Sequence, residues 1–229
     1  MTAREFRANL EMELAWRSKE FTFFKGQLNS ISTEVEQDCY RKCLVLILYS
    51  HLEGYIKFAL LLYVRYINEL NLSRKDVVAG LMTAGMNQEF SAYENLDRKG
   101  KVFHNTLPED TALHRFSRRV EFMERMDEFQ GKTLEIDDRV VDTESNIRYI
   151  VLQKNLYKLG LPLDMFEQYR VVIDALVNRR NSLAHGDLRA GVREKDFSEW
   201  ESQILTVMEK IKDMLYDYII HEKYLKSNV

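Results

Sequence analysis

Only two prolines, Pro108 and Pro162, and nine glycines interrupt a chain of 229 residues, so long stretches hold nothing that forbids a helix. Leu, Glu, Lys, Arg, Met and Ala, the residues that a helix accommodates most cheaply, are plentiful between these breaks. An all-α chain is expected. Its 45% apolar and 30% charged content excludes a disordered polymer and suffices for one sizeable core, or for one core carrying a large insertion. The most apolar runs, "CLVLILYSHL" and "FALLLYV", are split by Glu53 and Lys57 and fall short of the roughly 20 residues that span a bilayer. No membrane crossing is expected. The start, "MTAREFRANLEME", is charged from its fourth residue and lacks an apolar signal core, which points to the cytoplasm.

Cys39 and Cys43 lie four apart on an expected helix with no histidine close in sequence. They read as reduced core residues rather than as a metal or redox pair. The formal charge of −3 argues against non-specific coating of nucleic acid, which needs a broad basic surface, but allows a local basic groove. Two clusters qualify. "HRFSRR" at 114–119 reads as solvated surface, with His104 and His114 as ordinary surface histidines, whereas Arg179, Arg180, Arg189, Arg193 and Lys195 gather around one helix end.

Along the chain, Phe6, Leu10, Leu14 and Phe21 define a first helix over 4–28. A longer one is expected from about Ser32 to Leu72, with Val35, Cys39, Cys43, Leu46, Ser50, Glu53, Ile56, Leu60, Tyr63, Ile67 and Leu70 on one face as a spine of the core. Gly54 beside that face suits the close approach of another helix. Residues 73–142 are more polar and turn-rich, and read as an insertion with short helices near 75–90 and 111–129 and a brief strand at "TLEI". Helices are then expected over 144–159, over 163–185, and from "DFSE", where Asp196 and Glu199 suit a capping box, to about 224.

The stretch "NRRNSLAHGD" at 178–187 carries the chemistry. The apolar stripe Phe166, Tyr169, Ile173, Leu176, Leu183 passes through position 180, which is Arg180. An arginine there loses hydration, so it needs an acid, a phosphate or a water-filled groove. Glu53 interrupts the long helix in the same way, and the two are expected to face a common polar pocket. His185 precedes Gly186, the residue type that most readily ends a helix, so the histidine belongs to the last turn, where the helix dipole favours a cation. Asn181, four residues earlier, is placed to orient its ring.

The string "RNSLAH" resembles the ribonuclease motif of the HEPN superfamily, the "higher eukaryotes and prokaryotes nucleotide-binding" domains: an arginine, a polar residue, and a histidine four to six places after the arginine. "LILYSHLEGYIK" at 46–57 and "DTESNIRYIVLQKNLYKLGLP" before "VNRRNSLAHGD" extend the resemblance over most of the chain, toward the bacterial branch near RiboL-PSP-HEPN. It implies an all-α, HEPN-like helical bundle, one domain over 1–229, with a partly helical insertion at about 73–142 between the second core helix and the later ones.

The resemblance further implies a metal-independent endoribonuclease, a toxin or abortive-infection effector acting as a homodimer, with a cognate antitoxin or defence partner. Arg180 would stabilise the scissile phosphate and His185 would act as general acid/base or as a second cation. Asn181 and Glu53 would support them, and Arg179 and Arg189 of both copies would line an RNA groove. No cofactor is expected, since the sequence offers no convincing carboxylate or His/Cys cluster for a metal. The alternative is a non-catalytic HEPN-like module that binds a nucleotide or a protein and uses the same stretch as a helix ending.

Overall fold

The structure is a computed structural model and describes residues 1–186 and 190–228. Three long helices make its frame: α1 (Ala3–Gly26), α2 (Glu34–Glu69) and α9 (Glu194–Ile220). Thr2 starts α1 with a reciprocal capping box, its hydroxyl accepting from the Glu5 N–H while the Glu5 carboxylate accepts from the Thr2 N–H. The Thr33 hydroxyl caps α2 by accepting from the Glu36 N–H, without the reciprocal backbone bond. α2 packs against α1, α9 and α8 (Arg170–Ala184), and its side chains Leu44, Leu48, Leu52, Tyr55, Ile56, Ala59, Leu60 and Tyr63 are all buried. By length and composition α2 could cross a membrane, contrary to the reading of two runs that are too short. Here its apolar residues serve the core.

The face of α2 expected from spacing is buried in its second half, at Ile56, Leu60, Tyr63 and Ile67, but not in its first. Val35 is 80% exposed, Leu46 also faces outward, Ser50 is exposed, and Cys39 and Cys43 are exposed thiols rather than core residues. A walk by threes and fours drifts around a helix, so Leu46 and Ile56, ten residues apart, differ by about 80° in direction. Because nearly every position from 44 to 64 is apolar or aromatic, such a walk could begin on the wrong side without meeting a contradiction. Gly54 receives the Arg17 guanidinium of α1 instead of a helix backbone: a Cβ there would lie 2.7 Å from Nη1.

Four short helices, α3 (Ala79–Gly85), α4 (Asn87–Glu94), α5 (Thr111–Glu124) and α6 (Met126–Gly131), occupy the segment after α2. No strand forms at "TLEI". Thr133 makes only an isolated antiparallel bridge to Ser73, because the chain turns into a 3-10 helix at Arg74–Asp76 and offers no further partner. The "HRFSRR" cluster is half structural. His114 is buried, accepting from the Gly100 N–H through Nδ1 while Nε2 lies 2.8 Å from the Leu107 carbonyl, and buried Arg118 donates to the Tyr93 and Arg98 carbonyls. His104 is exposed, as expected.

α7 (Tyr149–Lys158) begins later than residue 144 because Glu144 and Ser145 adopt positive φ, 51° and 52°. α8 likewise begins only at Arg170, after a 3-10 turn at Glu167–Tyr169. The capping box at Asp196 is absent: α9 starts two residues earlier, and the Asp196 carboxylate instead binds the Arg193 guanidinium at 2.9 and 3.2 Å. Gly80 on α3 meets the end of α7 backbone to backbone, and a Cβ there would lie 2.8 Å from Gly160 N and 2.9 Å from the Tyr157 carbonyl oxygen. Gly80→Ala should therefore cost about 1–3 kcal/mol in urea denaturation by forcing the two helices apart. Gly131→Ala, which points into open space, is the matched control and should change little; equal stability of both variants would refute the contact.

Candidate functional site

The site is built where the last two turns of α8 meet the middle of α2 and the turn at residues 143–148. On α8, Asp174, Asn178, Asn181 and His185 recur at spacings of four, three and four, so they line one face. The first three grip the turn in order. Asp174 Oδ1 accepts from the Tyr149 N–H at 3.0 Å, Asn178 Oδ1 from Arg148 Nη2 at 2.7 Å, and Asn181 Nδ2 lies 3.4 Å from Asn146 Oδ1. From below, buried Asn155 on α7 holds the entry of the same turn through both the N–H and the carbonyl of Asp142. All its polar atoms are used, so it fixes the turn without leaving an unpaired group.

Arg180 lies between that turn and α2. Its guanidinium carbon sits 4.3 Å from the centroid of the Tyr49 ring, Nη1 donates to Asn181 Oδ1 at 2.8 Å, and Nη2 donates to the Ser145 carbonyl at 3.3 Å. Glu53 Oε2 is 4.0 Å from Nη2, a charged neighbour without a hydrogen bond. The side chain keeps 28% exposure. Thus a cation is held by one aromatic face and two neutral acceptors, with part of it left toward solvent. Tyr49 is itself buried, and its hydroxyl accepts from the Ile147 N–H at 3.1 Å. Burial above all, with the Glu53 carboxylate adding to it, pushes the phenol up to about 12, so Tyr49 is a neutral platform.

His185 is the C-cap of α8, with φ −86° and ψ −3°, and Gly186 follows at φ +74°. The His185 N–H donates to the Asn181 carbonyl at 3.0 Å, so the left-handed glycine ends the helix in the usual way. The imidazole is exposed and, among the described residues, makes no side-chain hydrogen bond. Asn181 does not orient it: both ends of that amide are taken by Arg180 and Asn146. Among the described residues no three His, Cys, Asp or Glu side chains converge.

The chain matches the family model of the MAE_28990-like HEPN domains over residues 6–224. It belongs to the HEPN superfamily. No curated protein and no solved structure matches it. The string "RNSLAH" lies at the end of α8, its arginine and histidine five residues apart, which on a regular helix separates their directions by about 140°. Arg179, expected in an RNA groove, sends Nη2 to the Gly191 carbonyl at 2.9 Å and so holds the segment leading into α9. Arg189 lies outside the described residues. The contributions that sequence reasoning missed are the Tyr49 platform, the Ser145 carbonyl and the Asn146 and Asn178 amides. The one signal for them is the polar, turn-rich run "DTESN", of which the part from Glu144 onward read as helix.

Tyr49→Phe separates the platform from the clamp. The ring under Arg180 stays, but the Ile147 N–H, in a buried setting, loses its acceptor. Urea denaturation should show a loss of about 1–3 kcal/mol. A variant as stable as wild type would mean that the hydroxyl does not hold the turn.

Proposed function

We propose that this HEPN chain is a metal-independent endoribonuclease, acting in the cytoplasm as a toxin or abortive-infection effector. Family membership supports a nuclease-like or nucleotide-binding module. The observation that carries the finer reading is the setting of Arg180: a charged fork on an aromatic face, held by neutral acceptors and partly open to solvent. A permanently charged group fixed before substrate arrives is what a developing phosphorane requires.

In the reaction, the 2′-hydroxyl oxygen attacks the adjacent phosphorus and the bond from phosphorus to the 5′-oxygen breaks. Arg180 stabilises the added negative charge on the non-bridging oxygens. His185, exposed at the helix end, either takes the 2′-hydroxyl proton or delivers one to the leaving 5′-oxygen. One helix does not aim residues about 140° apart at a single atom, so two copies facing each other across a dimer would supply complementary groups. Arg179 and Arg189 of both copies would add positive charge along the RNA, and a cognate antitoxin or defence partner would cover the same groove.

A second reading rests on the same arginine. Both of its outer nitrogens already have acceptors inside the chain, so Arg180 could serve as a strut in a binding module that does not cut. Incubation of purified protein with RNA in excess chelator separates the two. Wild type should cut with undiminished rate, and Arg180→Ala and His185→Ala should each lose about a hundredfold or more. Metal-dependent cleavage, or cleavage that survives both substitutions, would overturn the mechanism. No cleavage by wild type, with correctly folded variants, would favour the binding module.

A further inference from the structure

α5 carries apolar residues that the fold does not use. Leu113, Phe116, Val120 and Met123 follow at spacings of three, four and three, the a-d-a-d pattern of a coiled-coil seam. Phe116 is 63%, Val120 40% and Met123 67% exposed. The opposite face of the helix is already employed. His114 and Arg118 are buried and bound to carbonyls, Glu121 accepts from the Lys101 N–H, and the Phe122 ring packs on Phe90 and Phe129. The apolar stripe is therefore an outer surface, not a core face turned the wrong way.

In the same register Arg119 flanks the seam on one side, and Glu124, five residues later, flanks it on the other. Both are exposed. Arg119 donates Nε to the Tyr93 hydroxyl, and among the described residues neither side chain has an ion-pair partner. We propose that α5 pairs with α5 of a second copy of this chain, side by side and parallel about a two-fold axis. Parallel pairing sets Arg119 of each copy against Glu124 of the other, since a flanking residue on one helix meets the residue five positions later on its neighbour. Antiparallel pairing would bring arginine flank to arginine flank and acid to acid. Charge thus selects both the occupant and its direction. The seam involves none of the residues assigned to the ribonuclease site, and it stands whether or not that reading holds.

Sedimentation velocity across the micromolar range should show a reversible dimer. Arg119→Glu and Glu124→Arg should each weaken it about tenfold or more, and the double variant should return to within about threefold of wild type. In a Cys39→Ser/Cys43→Ser background, mild oxidation should link Met123→Cys into a covalent dimer, because a seam residue faces its own copy. Arg115→Cys, exposed but off the seam, should not link. Circular dichroism of each variant checks that the helices remain. A wild type that stays monomeric, a double variant as weak as the singles, equal linking at 115 and 123, or a dimer that survives Phe116→Asp with Val120→Asp would each overturn the proposal. A monomeric wild type would also remove the two-copy ribonuclease site, whereas the charge swap and the comparison of linking at 115 and 123 test the seam alone.

Discussion

The structure around the site depends on where one guanidinium is allowed to rest. Removing a charged group from water costs several kcal/mol, and Arg180 recovers part of that from the Tyr49 ring, a contact worth about 2 kcal/mol when desolvated. Hydrogen bonds to Asn181 and to the Ser145 carbonyl recover more. Those partners come from three separate stretches of chain. Residues 143–148 must therefore be held still, and three side chains on one face of α8 together with Asn155 on α7 do so. Glu53 adds a carboxylate 4.0 Å from Nη2, an ion pair without a hydrogen bond.

This arrangement is rigid where it meets the core and open at one end. Tyr49 and the Ile147 N–H that it binds are buried between α2 and the turn, whereas His185 and Gly186 are exposed at the end of α8. Arg180 and His185 point about 140° apart, so the one is fixed against the core and the other stands free at the helix end.

Helices were legible in the sequence wherever breakers are absent: α1, α2 and α9 lie near their expected limits. The direction of the first half of α2 was not, because a nearly all-apolar helix contains several plausible faces. Capping box and strand failed for a related reason, since each depends on where neighbouring chain starts or turns. At the site, the closeness of Arg180 and Glu53 was legible because each interrupts an apolar stripe. The partner of Asn181 was not, since Asn146 lies 35 positions away and outcompetes a histidine four positions on. His114 and Arg118 became internal anchors in the same way, through carbonyls from loops that no local pattern reveals.

The central claim is that Arg180 and its setting serve a reaction in which RNA attacks itself through its 2′-hydroxyl. The chemical ends left on the RNA test this most directly. Mass spectrometry of fragments from a short synthetic RNA should find a 2′,3′-cyclic phosphate on the upstream piece and a 5′-hydroxyl on the downstream piece, with no cut at a position carrying a single 2′-deoxy substitution. A 3′-hydroxyl paired with a 5′-phosphate would require attack by water from the opposite side, and would contradict the account.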